Sequence, residues 1–194
     1  MSDPFTEFLG AIAAGEDTRT EQAALALARK GDAALPSLHE LLHDADPERR
    51  WWATRALAAV GTESAQAQLI AALGDPDAYV RACAAHGLGE PGVGLKKAVP
   101  PLVTSLADAS PLVSRVAADS LARIGSPAVP ALIAALEAKV TSVRAGAARA
   151  LCIIQPEEAV PALCAALDDP SAAVTYYAEE ALERLGVGLM LFRP

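Results

Sequence analysis

The segment Val129–Leu151, VPALIAALEAKVTSVRAGAARAL, carries the pattern that organises the whole chain. Val129, Leu132, Ile133 and Leu136 follow the i, i+3, i+4, i+7 spacing of a helix with one buried stripe. The stretch Ser142–Ile154 has the same period. With Leu136 taken as an anchor, an equivalent apolar residue recurs at Ile12, Leu42, Leu73, Leu106 and Leu167. Four residues before each anchor lies Phe8, Leu38, Leu69, Leu102, Leu132 or Leu163. Eleven after it alanine stands every time (Ala23, Ala53, Ala84, Ala117, Ala147, Ala178), and fifteen after it leucine (Leu27, Leu57, Leu88, Leu121, Leu151, Leu182). Nineteen after it glycine stands in five of six cases, with Gln155 the exception. Six units that agree at four offsets make a repeat, in which each unit is one pair of helices.

Punctuation between the helices supports that division. Asp46-Pro47, Asp75-Pro76, Ser110-Pro111 and Asp169-Pro170 read as starts of the second helices, with Asp or Ser capping and proline in the first turn. The glycine near each unit's end reads as a helix stop. Pro36, Pro100, Pro130 and Pro161 then open the next first helix. Neither helix of a pair can bury its stripe alone, so the pairs must stack.

Composition agrees and excludes other classes. The 194 residues include 45 alanines but only 4% aromatics, which favours closely packed helices, and 53% hydrophobic residues are enough for a core. No run of about 18 apolar residues suggests a membrane span. A net charge of −8 argues against gripping nucleic acid. Three scattered cysteines offer neither a disulfide framework nor a zinc spacing, and the start MSDPFTEF has no basic and apolar leader pattern. The expected compartment is therefore the reducing cytoplasm.

The segments Asp75–Gly89 (DPDAYVRACAAHGLG), Val129–Leu151 and Val160–Leu182 (VPALCAALDDPSAAVTYYAEEAL) resemble the HEAT-repeat family, specifically its short phycobilisome-lyase HEAT-like branch. The resemblance spans about residues 5 to 186. It implies an all-α protein, a right-handed α-α superhelix of six helix pairs forming one array over 1–194. The units are expected at about 5–34, 35–65, 66–97, 98–127, 128–158 and 159–186, with 187–194 an apolar cap or tail. Within that tail Leu189, Leu191 and Phe192 are expected to fold back on the sixth unit. The alternative is self-association through the tail, so the expected state is a monomer or weak dimer. An arginine eight after the anchor, present as Arg50, Arg81 and Arg144, implies a ladder with aspartates such as Asp44 and Asp75. The ladder should be broken where Thr20, Ser114 and Thr175 replace it.

In the family resembled, the second helices line the concave side. Offsets 7, 11, 14, 15 and 18 read as buried, which sends offsets 9, 10, 13 and 17 outward. On these lie Trp51, Trp52, Arg55, His86, Arg115, Asp119, Arg123, Arg149, Tyr176, Tyr177, Glu180 and Arg184, with Tyr79 one turn upstream at the rim. Trp, Tyr and Arg are the types enriched where proteins bind each other. The expected function is a non-enzymatic scaffold that binds a protein or peptide along a concave groove with aromatic ends and a basic middle. One of the adjacent Trp51 and Trp52 is expected to pack as core, and which one is left open.

Chemical sites are not indicated. The single His39-Glu40 pair is too little for the di-iron hydroxylases built on related repeats, so no metal or cofactor is expected. Cys83 reads as a small hydrophobe or as a thiol on the groove floor. The glycine-rich Gly87–Gly94 follows a helix rather than a strand and is no dinucleotide loop. It reads as the connection of the longest unit. No Ser/His/Asp constellation emerges, so no catalytic residue is named. The alternative function is tetrapyrrole handling like that of bilin lyases, with Arg115, Arg123 and Arg149 pairing propionates. A DNA-glycosylase reading built on Trp52, Asp119 and Arg149 is opposed by the acidic charge.

Overall fold

The structure is a computed structural model that describes residues 3–91 and 94–187. Twelve α-helices follow one another: α1 Pro4–Ala14, α2 Asp17–Ala28, α3 Leu35–Leu41, α4 Pro47–Val60, α5 Glu63–Ala72, α6 Ala78–Leu88, α7 Leu95–Ser105, α8 Pro111–Ile124, α9 Val129–Ala135, α10 Thr141–Ile154, α11 Val160–Ala166 and α12 Ala172–Arg184. Short 3₁₀ turns precede α3, α9 and α11, and no strand occurs among the described residues. The chain divides into two compact units, Met1–Gly94 and Leu95–Pro194, each holding three helix pairs. The expected fold-back of Leu189, Leu191 and Phe192 lies outside the described residues.

The repeat lattice is the core. All six residues four before the anchor, all six alanines at +11 and all six leucines at +15 are buried. Alanine at +11 lets the second helix lie close to the first. Two offsets differ from the pattern expected. Position +18 is buried only at Ile124, whereas +12 is buried at Ala24, Thr54, Ala85, Ala118 and Ala148. Each second helix therefore meets its own first helix through +11 and +15 and the neighbouring second helices through its flanks. Two glycines show how tight those flanks are. A Cβ on Gly87 would lie 2.7 Å from Ala58 Cβ, and one on Gly146 would lie 2.7 Å from Leu106 Cδ2. Gly87 thus belongs to helix packing rather than to the loop after α6.

The turns between paired helices are built on aspartate. Two after the anchor, the carboxylates of Asp44, Asp75, Asp108 and Asp169 accept from the amides of Asp46, Asp77, Ser110 and Ser171 at 2.7–2.9 Å. Helix α4 starts as expected, with the Asp46 carboxylate also accepting from the Glu48 amide and Pro47 in the first turn. Helices α6 and α12 start two residues later than Asp75-Pro76 and Asp169-Pro170 suggested, with Asp77 and Ser171 as N-caps. The reason is that Asp75 and Asp169 are occupied by the turn and by arginine. Arg50 donates from Nε and Nη2 to Asp75 at 2.8 and 3.0 Å and from Nη1 to the Asp44 carbonyl. Arg144 does the same to Asp169 at 2.6 and 3.1 Å and to the Ala138 carbonyl. Both pairs are largely shielded from solvent. The Arg144 guanidinium holds the Asp169 carboxyl below its ordinary value against the opposing effect of burial.

In the fourth unit Ser114 replaces the arginine, and Ala138 replaces the aspartate it would have met in the fifth. Both halves of that bridge are missing together, which avoids leaving one charge unpaired. Thr20, Ser114 and Thr175 donate their hydroxyls to the carbonyls of Glu16, Pro111 and Ala172 instead.

Helix ends follow the glycine pattern, and its exception obeys it. Gly61, Gly125 and Gly186 have φ of 67, 73 and 74°, and Gln155 has φ 57°, the left-handed region without the glycine. Pro36, Pro130 and Pro161 lie in the first turns of α3, α9 and α11. Pro100 does not open a helix: it and Pro101 lie inside α7, which begins at Leu95. The Thr104 and Ser105 hydroxyls donate to the Pro100 and Pro101 carbonyls there.

Candidate functional site

The outward faces of α4, α8, α10 and α12 present the residues singled out from sequence, but not all of them. Trp52 is 6% exposed and belongs to the core, while Trp51 is half-buried with its ring edge-on to Trp52, centroids 4.9 Å apart. The reason is the offset. Trp52 lies at +10, the position at which Gly146 abuts the anchor Leu106 of the preceding pair. Ala82 and Cys83, expected on the groove floor, are likewise buried. Burial pushes the Cys83 thiol up to about 12, so it stays protonated, and it lies 4.0 Å from the Trp51 carbonyl oxygen. Burial thus disfavours the thiolate that a nucleophile would need. The outer ridge is therefore carried by +9 and +13, with +17 at its end.

In the compact half Met1–Gly94, Trp51 lines two hollows. One, of about 600 Å³, is lined by Asp17, Thr18, Glu21 and Gln22 of α2 and by Glu48, Trp51 and Trp52 of α4. The other, of about 390 Å³, is lined by Pro47, Glu48 and Trp51 with Asp77 and Tyr79. Tyr79 is 68% exposed. Glu21 is paired with Arg55, which donates at 2.7 and 3.2 Å. The Asp77 carboxylate caps α6 by accepting from the Tyr79 and Val80 amides. His86 and Glu90 lie 3.2 Å apart on the same helix and the loop after it.

In the compact half Leu95–Pro194, the expected basic strip is largely neutralised from within. Arg149 donates from Nε and Nη2 to Asp119 at 3.0 and 2.8 Å and from Nη1 to the Tyr177 hydroxyl at 3.1 Å. Asp119 and Tyr177 raise the guanidinium further above its ordinary value. Arg184 pairs with Glu180 at 2.8 Å, and Arg123 donates to the Ser120 hydroxyl. Arg115 is exposed. Tyr176 is 58% exposed and meets Tyr177 edge-on at 5.2 Å. The structure thus brings Asp119, Arg149, Tyr176 and Tyr177 into one cluster, and places Trp51 and Tyr79 around one hollow.

Asp17 and Glu48 were missed from sequence because a carboxylate in a helix's first turn reads as a complement to the helix dipole. The signal was present in the repeat. Glu48 lies six after its anchor, the same position as the rim residue Tyr79.

His39 and His43 lie elsewhere, on α3 and the turn after it, with rings 4.8 Å apart beside a hollow of about 450 Å³. Among the described residues no group of three His, Cys, Asp or Glu is placed to hold a metal ion. No helix among them is long and apolar enough to cross a membrane.

A family model described as HEAT repeats matches residues 6–89, 66–152 and 99–183. No curated protein matches the chain. Among solved structures, the chain is similar to the CpcE–CpcF complex of phycocyanin lyase from Nostoc, at 25% identity and TM-score 0.50, over 96% of this chain and 78% of that one. It is similar to a designed armadillo repeat protein in complex with a (KR)4 peptide, at 20% identity and TM-score 0.51, over 95% of this chain and 100% of that one. A Kap121p mutant is similar at 16% identity and TM-score 0.56, over 90% of this chain and 22% of that one. The last two likenesses speak for the fold alone.

Proposed function

The chain belongs to the HEAT-repeat family, and from that premise we propose that it is a non-enzymatic interaction scaffold whose partner polypeptide lies on the outward face of the second helices. The carrying observation is the placement of the exposed large side chains. Among the described residues Leu25, Tyr79, Val140, Ile153 and Tyr176 are the exposed large hydrophobics, and all but Val140 lie on or at the rim of that face. Binding sites concentrate aromatics. The principal contacts are assigned to Trp51, Tyr79 and Tyr176, with Arg115 free to meet an acidic group. Arg149 and Arg55 act mainly by holding their neighbours in place, since each already has a carboxylate.

The test is co-purification of the tagged protein from its native host. A retained polypeptide should be lost, by about tenfold or more in affinity, on Trp51→Ala or Tyr176→Ala, and kept on Glu40→Ala. A partner indifferent to Trp51, Tyr79 and Tyr176 defeats the proposal. Tetrapyrrole handling is the second reading, favoured by the likeness to the phycocyanin lyase complex. A visible absorbance band retained through purification, lost on Arg115→Ala, would favour it over the first.

A further inference from the structure

We propose that the partner segment seated on the compact half Met1–Gly94 is basic, and that Trp51 takes two cationic side chains of it, one in each hollow that it lines. This rests on the polypeptide-binding reading above and names the chemistry of its partner.

Trp51 and Glu48 line both hollows, and Trp52, edge-on to Trp51 at 4.9 Å, lines the larger one with them. An aromatic face attracts cations through its quadrupole, tryptophan most strongly. The surrounding charge selects the same occupant. Asp17, Glu21 and Glu48 line the larger hollow, and Glu48 and Asp77 the smaller. Arg55 neutralises Glu21, but the Asp17 and Glu48 side chains have no cationic partner among the described residues. The arginines nearest along α4 are turned to other work, Arg49 to Asp44 and Arg50 to Asp75. An anionic or purely apolar segment would leave the carboxylates of Asp17 and Glu48 desolvated beside it without compensation, whereas Asp77 already accepts two amides. A guanidinium meets both needs, stacking on the indole and donating two N–H groups to a carboxylate.

The geometry also sets a spacing. In an extended segment, side chains two residues apart point the same way about 6.6 Å apart, roughly the thickness of one aromatic ring with a stacked group on each face. Basic residues at alternate positions of an extended peptide therefore suit the two hollows. The 8-residue peptide (Arg-Ala)4 presents that pattern, and (Glu-Ala)4 is its charge-reversed counterpart.

Fluorescence anisotropy of each labelled peptide with the whole protein, at low and at physiological salt, decides the matter. (Arg-Ala)4 should bind and (Glu-Ala)4 should not. Asp17→Asn with Glu48→Gln should weaken binding about tenfold and flatten its salt dependence. Trp51→Ala should weaken it about as much and leave the salt dependence in place, and Trp51→Phe should restore part of the loss. Helical circular dichroism verifies that each variant is folded. Glu179→Gln with Glu183→Gln removes two charges on α12 and should change nothing. An equal loss in that control means a general attraction to an acidic protein and overturns the proposal, as does absence of (Arg-Ala)4 binding. If (Glu-Ala)4 binds instead and Trp51→Ala abolishes it, the cationic chemistry falls while the polypeptide-binding reading survives. If the co-purified partner is also indifferent to Trp51, both fall.

Discussion

The two halves of the molecule use the same helical positions to opposite ends. At +9 and +13 in the second half, Asp119, Arg149 and Glu180 close on one another or on Arg184, and Tyr177 lends its hydroxyl to the same network. In the first half Glu21 is linked to Arg55 and His86 lies 3.2 Å from Glu90, but Asp17 and Glu48 beside Trp51 have no cationic partner among the described residues. The backbone framework is the same in both, with the same buried alanine and leucine at +11 and +15 and the same arginine–aspartate bridge under the turns. A repeat scaffold thus separates what must be constant from what can be spent on a partner. One face residue stabilises the array when its charge is met within the chain, and remains available to bind when it is not.

Variants can break this comparison. The largest effect is expected at the bridges, where the halves should behave alike. Arg50→Ala and Arg144→Ala should each cost about 2–3 kcal/mol in urea unfolding, because each strands a shielded aspartate. A cost in one half only would show that the frameworks differ. The Arg144 bridge also has a pH signature. Asp169 has a depressed pKa in the folded protein, so its contribution is complete above the unfolded carboxylate range and is lost as pH falls through the lower folded value. The gap between wild type and Arg144→Ala should therefore close below about pH 4.

Smaller effects sharpen the contrast between the faces. Arg149→Ala should cost about 1 kcal/mol, and a double-mutant cycle with Asp119→Asn should recover most of it as coupling, in keeping with a partly exposed pair. Gln155→Gly should add about 0.5–1 kcal/mol of stability and raise the melting temperature, since it relieves a positive φ that Gly31, Gly61, Gly125 and Gly186 adopt at the equivalent position. The smallest effect belongs to the open hollow. Asp17→Asn with Glu48→Gln should change stability by no more than about 0.5 kcal/mol, whatever it does to binding. A marked loss there would mean those carboxylates are structural after all.

How much of this was legible in the residues depends on range. Helix number, pairing and the buried +11 and +15 positions were readable because amphipathic period and repeat spacing are properties of local chain geometry. Tyr79 and Tyr176 were readable as surface aromatics for the same reason, whereas the sequence left open which of Trp51 and Trp52 packs as core. Even the ladder could be anticipated from Arg50, Arg81 and Arg144 against Asp44 and Asp75. Three things were not. Asp75 and Asp169 looked like helix caps, but their carboxylates were already taken by the turn and by an arginine 25 residues away, so the helices began two residues later. Trp52 and Cys83 looked outward by helix angle, but +10 is where a second helix leans on its neighbour. Arg149 looked like a free cation in a basic strip, but a carboxylate 30 residues away had claimed it.

Sequence by itself determined the periodic part of this protein: six helix pairs, their apolar stripes, their stops, and the residue types offered to the outside. Tertiary structure alone decided which of those offers remain open. The physical reason is that periodicity follows from the 3.6-residue turn within one helix, whereas burial at a helix flank and the pairing of a charge depend on what the adjacent repeat brings within about 3 Å.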